Sequence, residues 1–159
     1  MAEREQLQRF IDDLYAACAV QGLPVRTAIS EYAPGQLELT LEHRFDALQA
    51  IDEGVRYKRL VKGVAHQHGF IACFMAKPFG ELAGSGMHMH VSLADEQGNN
   101  LMASADPTGT PLLKHAIGGM LATLNDALAI FCPNANSYRR FQANSYAPLA
   151  KSWGVNNRT

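Results

Sequence analysis

A chain of 159 residues is about the length of one ordinary domain and is long enough to bury a core. Hydrophobic residues make up 47% of it and charged residues only 18%, which excludes a disordered chain and points to surface covered by other protein. The net charge of -1 leaves no electrostatic footprint for nucleic acid. No apolar run reaches the roughly 18 residues of a membrane span, and no apolar signal region follows the charged start Met1 to Gln6. Three cysteines, Cys18, Cys73 and Cys132, lie far apart and form no CxxC pair. They point to a reducing cytoplasm, without a disulfide framework or a structural zinc.

The first predicted element is a helix over about residues 3 to 20, where Leu7, Phe10, Ile11, Leu14 and Cys18 recur at helical spacing. Gly22 and Pro24 end it. Val25 to Glu31 reads as a strand, and the Pro34-Gly35 turn returns the chain into a second, Gln36 to Leu41, with strict alternation. A long helix follows, marked by Ala47, Leu48, Ile51, Val55, Leu60, Val64 and Ala65, with Lys58, Arg59 and Lys62 solvated. Phe70 to Met75, an apolar run between Gly69 and Pro78, reads as a buried strand. Gly86 to Leu93 reads as an alternating strand that ends at a turn over Asp95 to Asn100. Thr110-Pro111 supplies an N-cap and first-turn proline for a third helix, with Leu113, Ile117, Met120, Leu121, Leu124 and Leu128 as its apolar stripe. Beyond Pro133 the chain becomes polar and irregular. Helices interleaved with hairpin-like strands predict an α+β fold with a largely antiparallel sheet.

On a strand through Gly86 to Leu93, His88, His90 and Ser92 share one face and Met87, Met89, Val91 and Leu93 the other. The polar face is either an ordinary solvated surface or a place for a metal or ligand. The second hairpin strand puts Gln36, Glu38 and Thr40 on one face, and the turn can fold Glu31 back toward Glu38. Two carboxylates brought together repel unless a cation lies between them; otherwise both are simply exposed. If the two polar faces belong to one sheet, they form a pocket of carboxylates and imidazole suited to Mg or Mn rather than zinc. Arginines in Ser137-Tyr138-Arg139-Arg140-Phe141 and Asn156-Asn157-Arg158 are either surface charges or forks for a carboxylate or phosphate.

Four stretches stand in a telling order: Glu31 to Glu38, Lys77-Pro78 with Gly84 to Leu93, Asn136 to Arg140, and Ala147-Pro148 followed by Trp153 to Arg158. Together they resemble the catalytic domain of the glutamine synthetase superfamily over about residues 24 to 159. The resemblance implies a curved antiparallel sheet backed by helices. It makes Glu31 and Glu38 ligands of a metal near the phosphates, and His88 a ligand of the metal near the substrate carboxylate. His90, Val91 and Ser92 would face ATP, and Gly84 would offer its backbone to glutamate. Arg140 would hold a glutamate carboxylate, and Arg158 would meet ATP and the transferred phosphate. The implied chemistry is attack of the glutamate γ-carboxylate on the γ-phosphate of ATP, with Mg2+ or Mn2+, giving γ-glutamyl phosphate that an amine then converts to an amide. Metals and arginines suit it because nucleophile and phosphate are both anionic.

Two departures refine this expectation. Where glutamine synthetases proper place a carboxylate that helps to bind ammonium, the stretch Asn144-Ser145-Tyr146-Ala147-Pro148 has Tyr146, and Ala83 replaces the asparagine usual before the glycine run. The pattern is similar to the γ-glutamylpolyamine branch, whose acceptor is a larger amine. Ordinary glutamine synthesis from ammonia is the alternative, and a non-catalytic structural relative is another; retention of Glu31, Glu38, His88, Arg140 and Arg158 counts against the latter. The family also draws metal ligands from a Glu-x-Glu pair upstream of residue 1 and a glutamate downstream of Thr159, and uses a smaller N-terminal domain. The chain is therefore expected to be a single partial domain, a catalytic core that alone binds metal weakly and turns over nothing. Its low charge content fits the family's cytoplasmic ring-shaped homo-oligomers.

Overall fold

Helix α1 (Ala2–Val20) forms where the sequence predicts it, and its apolar stripe turns inward: Phe10, Leu14 and Cys18 are buried, with Leu7, Ile11 and Ala17 packed beside them. Its end is a Schellman motif. Gly22 takes φ +64°, its N–H donates to the Ala19 carbonyl, and the Leu23 N–H reaches back to the Cys18 carbonyl at 2.9 Å. Leu23, the residue after the glycine, is thereby directed into the core.

The chain then forms the antiparallel hairpin of β1 (Val25–Ser30) and β2 (Leu37–Leu41). Its turn is Ala33-Pro34-Gly35-Gln36, closed by a Gln36 N–H to Ala33 carbonyl bond of 3.0 Å, with Gly35 at φ +72°. Proline before a glycine of positive φ is the type II pattern. One face of the hairpin carries Leu37 and Leu39 toward the core. A register irregularity between Val25 and Thr27 returns Val25 to that same face beside Leu41.

Helix α2 (Ala47–Gln67) starts at Asp46, whose carboxylate accepts from the Leu48 and Gln49 N–H groups. It buries Val61, Val64 and Ala65, and a second Schellman motif through Gly69 sends Phe70 back against Phe10. The predicted stripe is only half right. Leu48, Ile51 and Val55 remain 60–74% exposed, and the buried position in that half of the helix is Glu53. Arg44 donates to both Glu53 oxygens and Gln49 to one, so the carboxylate can be buried and is held below its ordinary range chiefly by the Arg44 hydrogen bond.

These elements belong to one compact unit, Met1–Phe74; a second spans Met75–Thr159. The computed structural model describes residues 2–156. In the second unit, helix α3 (Pro111–Phe131) is capped by Thr110, whose hydroxyl accepts from the Leu113 N–H. Its predicted stripe is half-buried, apart from Met120 at 65% exposure, and no residue of this helix is buried. A one-turn helix, α4 (Ala135–Tyr138), follows, capped by Asn134.

The α+β class and the antiparallel sheet agree with the sequence reading, but the sheet among the described residues has two strands. Phe70 to Met75 is neither a strand nor buried throughout, since Ile71 is 95% exposed. Gly86 to Leu93 also carries no ladder; only an isolated bridge, Ala94 to Asn100, closes the predicted turn behind it. Alternation states which faces a strand would have, but a strand exists only where a second backbone accepts its hydrogen bonds. No helix among the described residues is long and apolar enough to cross a membrane.

Candidate functional site

The hairpin carries the first group of predicted residues. Register pairs Ile29 with Glu38, and the Glu31 N–H donates to the Gln36 carbonyl at 2.9 Å. Glu31 and Glu38 therefore lie diagonally on one face, a relation that places Cβ atoms about 7–8 Å apart. Thr27 and Thr40 continue that face, their hydroxyls 2.6 Å apart. The opposite face is spent on the core, so the carboxylates are directed away from it and are half-exposed. Two oxygen donors at this spacing suit a hard divalent cation. Within each unit, no three described His, Cys, Asp or Glu side chains form a metal-holding group.

The second group is held by polar contacts in the second unit. The amide of Asn136 grips the backbone of Lys77 at both ends: its oxygen accepts the Lys77 N–H and its nitrogen donates to the Lys77 carbonyl, each at 2.8 Å. Lys77 is buried, and its ammonium donates to the Leu82 carbonyl at 2.6 Å. The Ser85 N–H donates to the Ala76 carbonyl at 2.8 Å. These bonds hold the Gly84-Ser85-Gly86 backbone against the segment around Lys77.

Arg140 lies across those glycines. Its Nη1 donates to the Ser85 carbonyl at 3.1 Å, while its Nε is buried with no hydrogen-bond partner among the described residues. A Cβ on Gly84 would stand 2.7 Å from the Ala76 carbonyl oxygen and 2.9 Å from Arg140 Nε; one on Gly86 would stand 2.8 Å from Nη1. Glycine is required at both positions for the guanidinium to occupy this place. An orphaned buried N–H on a cation is a site of unmet demand for an acceptor. The Arg140 carbonyl is met in turn by the Ser145 hydroxyl at 2.6 Å, between Asn144 and Tyr146, both with positive φ.

Of the remaining predicted residues, His88, His90, Val91 and Ser92 are exposed on the irregular segment, and Arg158 lies outside the described residues. Cys18 offers no alternative nucleophile, since burial pushes its thiol up. Sequence reasoning did not find the roles of Asn136 and Lys77. Both stand in the motif stretches, but no periodicity links residues 59 positions apart.

The family model for the glutamine synthetase catalytic domain matches residues 1–159, and the chain belongs to that family. It is 42% identical over 158 residues to the gamma-glutamylputrescine synthetase of Escherichia coli, covering 98% of this chain and 34% of that protein. It is 40% identical over 138 residues to a gamma-glutamylethanolamide synthetase of Streptomyces coelicolor, covering 87% of this chain and 29% of that protein. The solved structure of GmaS without ligand superposes with a TM-score of 0.79 at 31% identity, covering 87% of this chain and 34% of that one. The chain thus spans about a third of the length of the relatives it matches.

Proposed function

We propose that the protein carrying this chain is an ATP-dependent ligase that joins the γ-carboxylate of glutamate to an amine through γ-glutamyl phosphate. The observation that supports this most is the Arg140 guanidinium, fixed to the Ser85 carbonyl and buried at Nε without a partner, against the Gly84-Ser85-Gly86 backbone. A carboxylate answers an unmet guanidinium N–H by charge. Arg140 and the Gly84 backbone would hold glutamate, orienting it so that its other carboxylate is free to react.

Glu31 and Glu38 fit a divalent Mg or Mn ion by the chemistry of their donor set, and His88 would be a ligand of a second such ion near the substrate carboxylate. When bound, such ions offset the repulsion between carboxylate and phosphate. His90, Val91 and Ser92 would face the nucleotide, and Arg158 would stabilise charge on the transferred phosphate. An ADP complex of GmaS, similar to this chain with a TM-score of 0.78, supports the nucleotide assignment.

The acceptor is a primary amine larger than ammonia. Tyr146 in place of a carboxylate supports this, as does the similarity to enzymes named for putrescine, ethanolamine and isopropylamine. The apolar exposure along α3, with Met120 at 65% and Ile130 at 77%, fits assembly into a homo-oligomer. The 159 residues alone would bind metal weakly and show no turnover. Phosphate release with glutamate and ATP, measured against putrescine, ethanolamine and ammonium, tests the reading. Preference for a larger amine supports it, whereas preference for ammonium rejects the acceptor assignment.

A further inference from the structure

We infer that Asn136 is a positioning residue for the glutamate end of the site, acting through the Lys77 segment on the Gly84-Ser85-Gly86 backbone and on Arg140. The inference rests on the reading of Gly84 and Arg140 as glutamate contacts.

The contacts form a closed circuit. The Asn136 amide occupies both hydrogen-bonding groups of Lys77, as a neighbouring strand would, although 59 positions separate the residues. Lys77 is 6% exposed, so removing the amide would leave two largely buried backbone groups short of a partner. From the same segment, the Lys77 ammonium holds the Leu82 carbonyl and the Ala76 carbonyl holds the Ser85 N–H. Arg140 closes the circuit from Ser85 back to the turn that carries Asn136, since the Arg140 N–H donates to the Ser137 carbonyl at 3.2 Å.

The consequence is mutual placement. The guanidinium and the Gly84 backbone must be fixed relative to each other to within a fraction of an ångström to grip a single carboxylated substrate. Displacements of about 1 Å lower catalysis by roughly a hundredfold. Asn136 touches no substrate in this scheme; it fixes the frame on which both contacts sit.

The test uses Asn136→Ala and Asn136→Asp in the protein that carries this chain, with steady-state kinetics and hydrogen–deuterium exchange over residues 82–86. Asn136→Ala should raise KM for glutamate by roughly tenfold to a hundredfold, leave KM for ATP and amine unchanged, and speed exchange at the Ser85 amide. Asn136→Asp keeps the acceptor for the Lys77 N–H and loses the donor to its carbonyl, so it should fall between. If Asn136→Ala does not fold, the Asn136→Asp shift decides. Unchanged glutamate KM, an equal rise in all three KM values, or wild-type protection at Ser85 would overturn the inference. Absence of glutamate-dependent turnover in the unsubstituted protein would instead reject the ligase reading, and exchange at Ser85 would then decide the positioning link alone.

Discussion

The two units of this chain are held by different physics. Every buried hydrophobic residue among those described, from Phe10 to Ala65, belongs to Met1–Phe74, whereas the buried residues of Met75–Thr159 are Lys77 and Ser137. The first unit is a hydrophobic cluster closed by two helix-ending glycines. The second is a set of backbone-to-side-chain hydrogen bonds centred on Asn136, Lys77 and Arg140. The hydrophobic effect is non-directional, so an apolar core tolerates small shifts. Hydrogen bonds demand geometry, and a segment fixed by them is suited to presenting groups to a substrate.

The contrast can be broken most severely at Leu14, which is 1% exposed. Leu14→Ala should lower stability by about 2–5 kcal/mol, read from urea unfolding, through lost burial and the cavity left behind. Gly84→Ala should leave stability nearer the wild type but reduce glutamate-dependent activity by roughly a hundredfold. Its Cβ would meet the Ala76 carbonyl, which is backbone, at 2.7 Å. Gly86→Ala should cost less stability than Gly84→Ala, because its nearest atom, Arg140 Nη1, is the end of a flexible side chain, while glutamate-dependent activity still falls as the guanidinium is displaced.

A pH profile sharpens the first half of the comparison. Glu53 is held below its ordinary value of 4.5 by Arg44, so its contribution is present above that value and is lost as pH falls through its folded value. Unfolding midpoints should drop as pH falls below about 4.5, and Glu53→Gln should flatten that drop. A residual slope should persist, since the Asp95 and Asp106 carboxyls are also held low by hydrogen bonds from Asn99 and Thr108. The smallest effect is expected at Thr110→Ala, which removes the α3 cap and should lower stability by about 1 kcal/mol in the same unfolding measurement.

Helices α1, α2 and α3 and the hairpin were legible because their signals are local: periodicity, capping residues, and a proline–glycine turn. The shared face of Glu31 and Glu38 was legible for the same reason. Alternation in Gly86 to Leu93 was a true pattern without a ladder, and the Leu48–Ile51–Val55 stripe was apolar without being buried. In both segments the deciding quantity is contact with another part of a protein, which a local window does not contain.

By itself, the amino-acid order determined the helices, the turn, the family and the identity of the candidate ligands. Each of these depends on neighbouring residues or on motif stretches kept in register. Only the tertiary structure decided that Glu53 rather than Val55 is buried, that Asn136 grips Lys77, and that Arg140 lies where Gly84 and Gly86 leave space. Those outcomes rest on hydrogen bonds and steric vacancies between residues far apart in the chain, and directional contacts of that kind exist only once the backbone has folded.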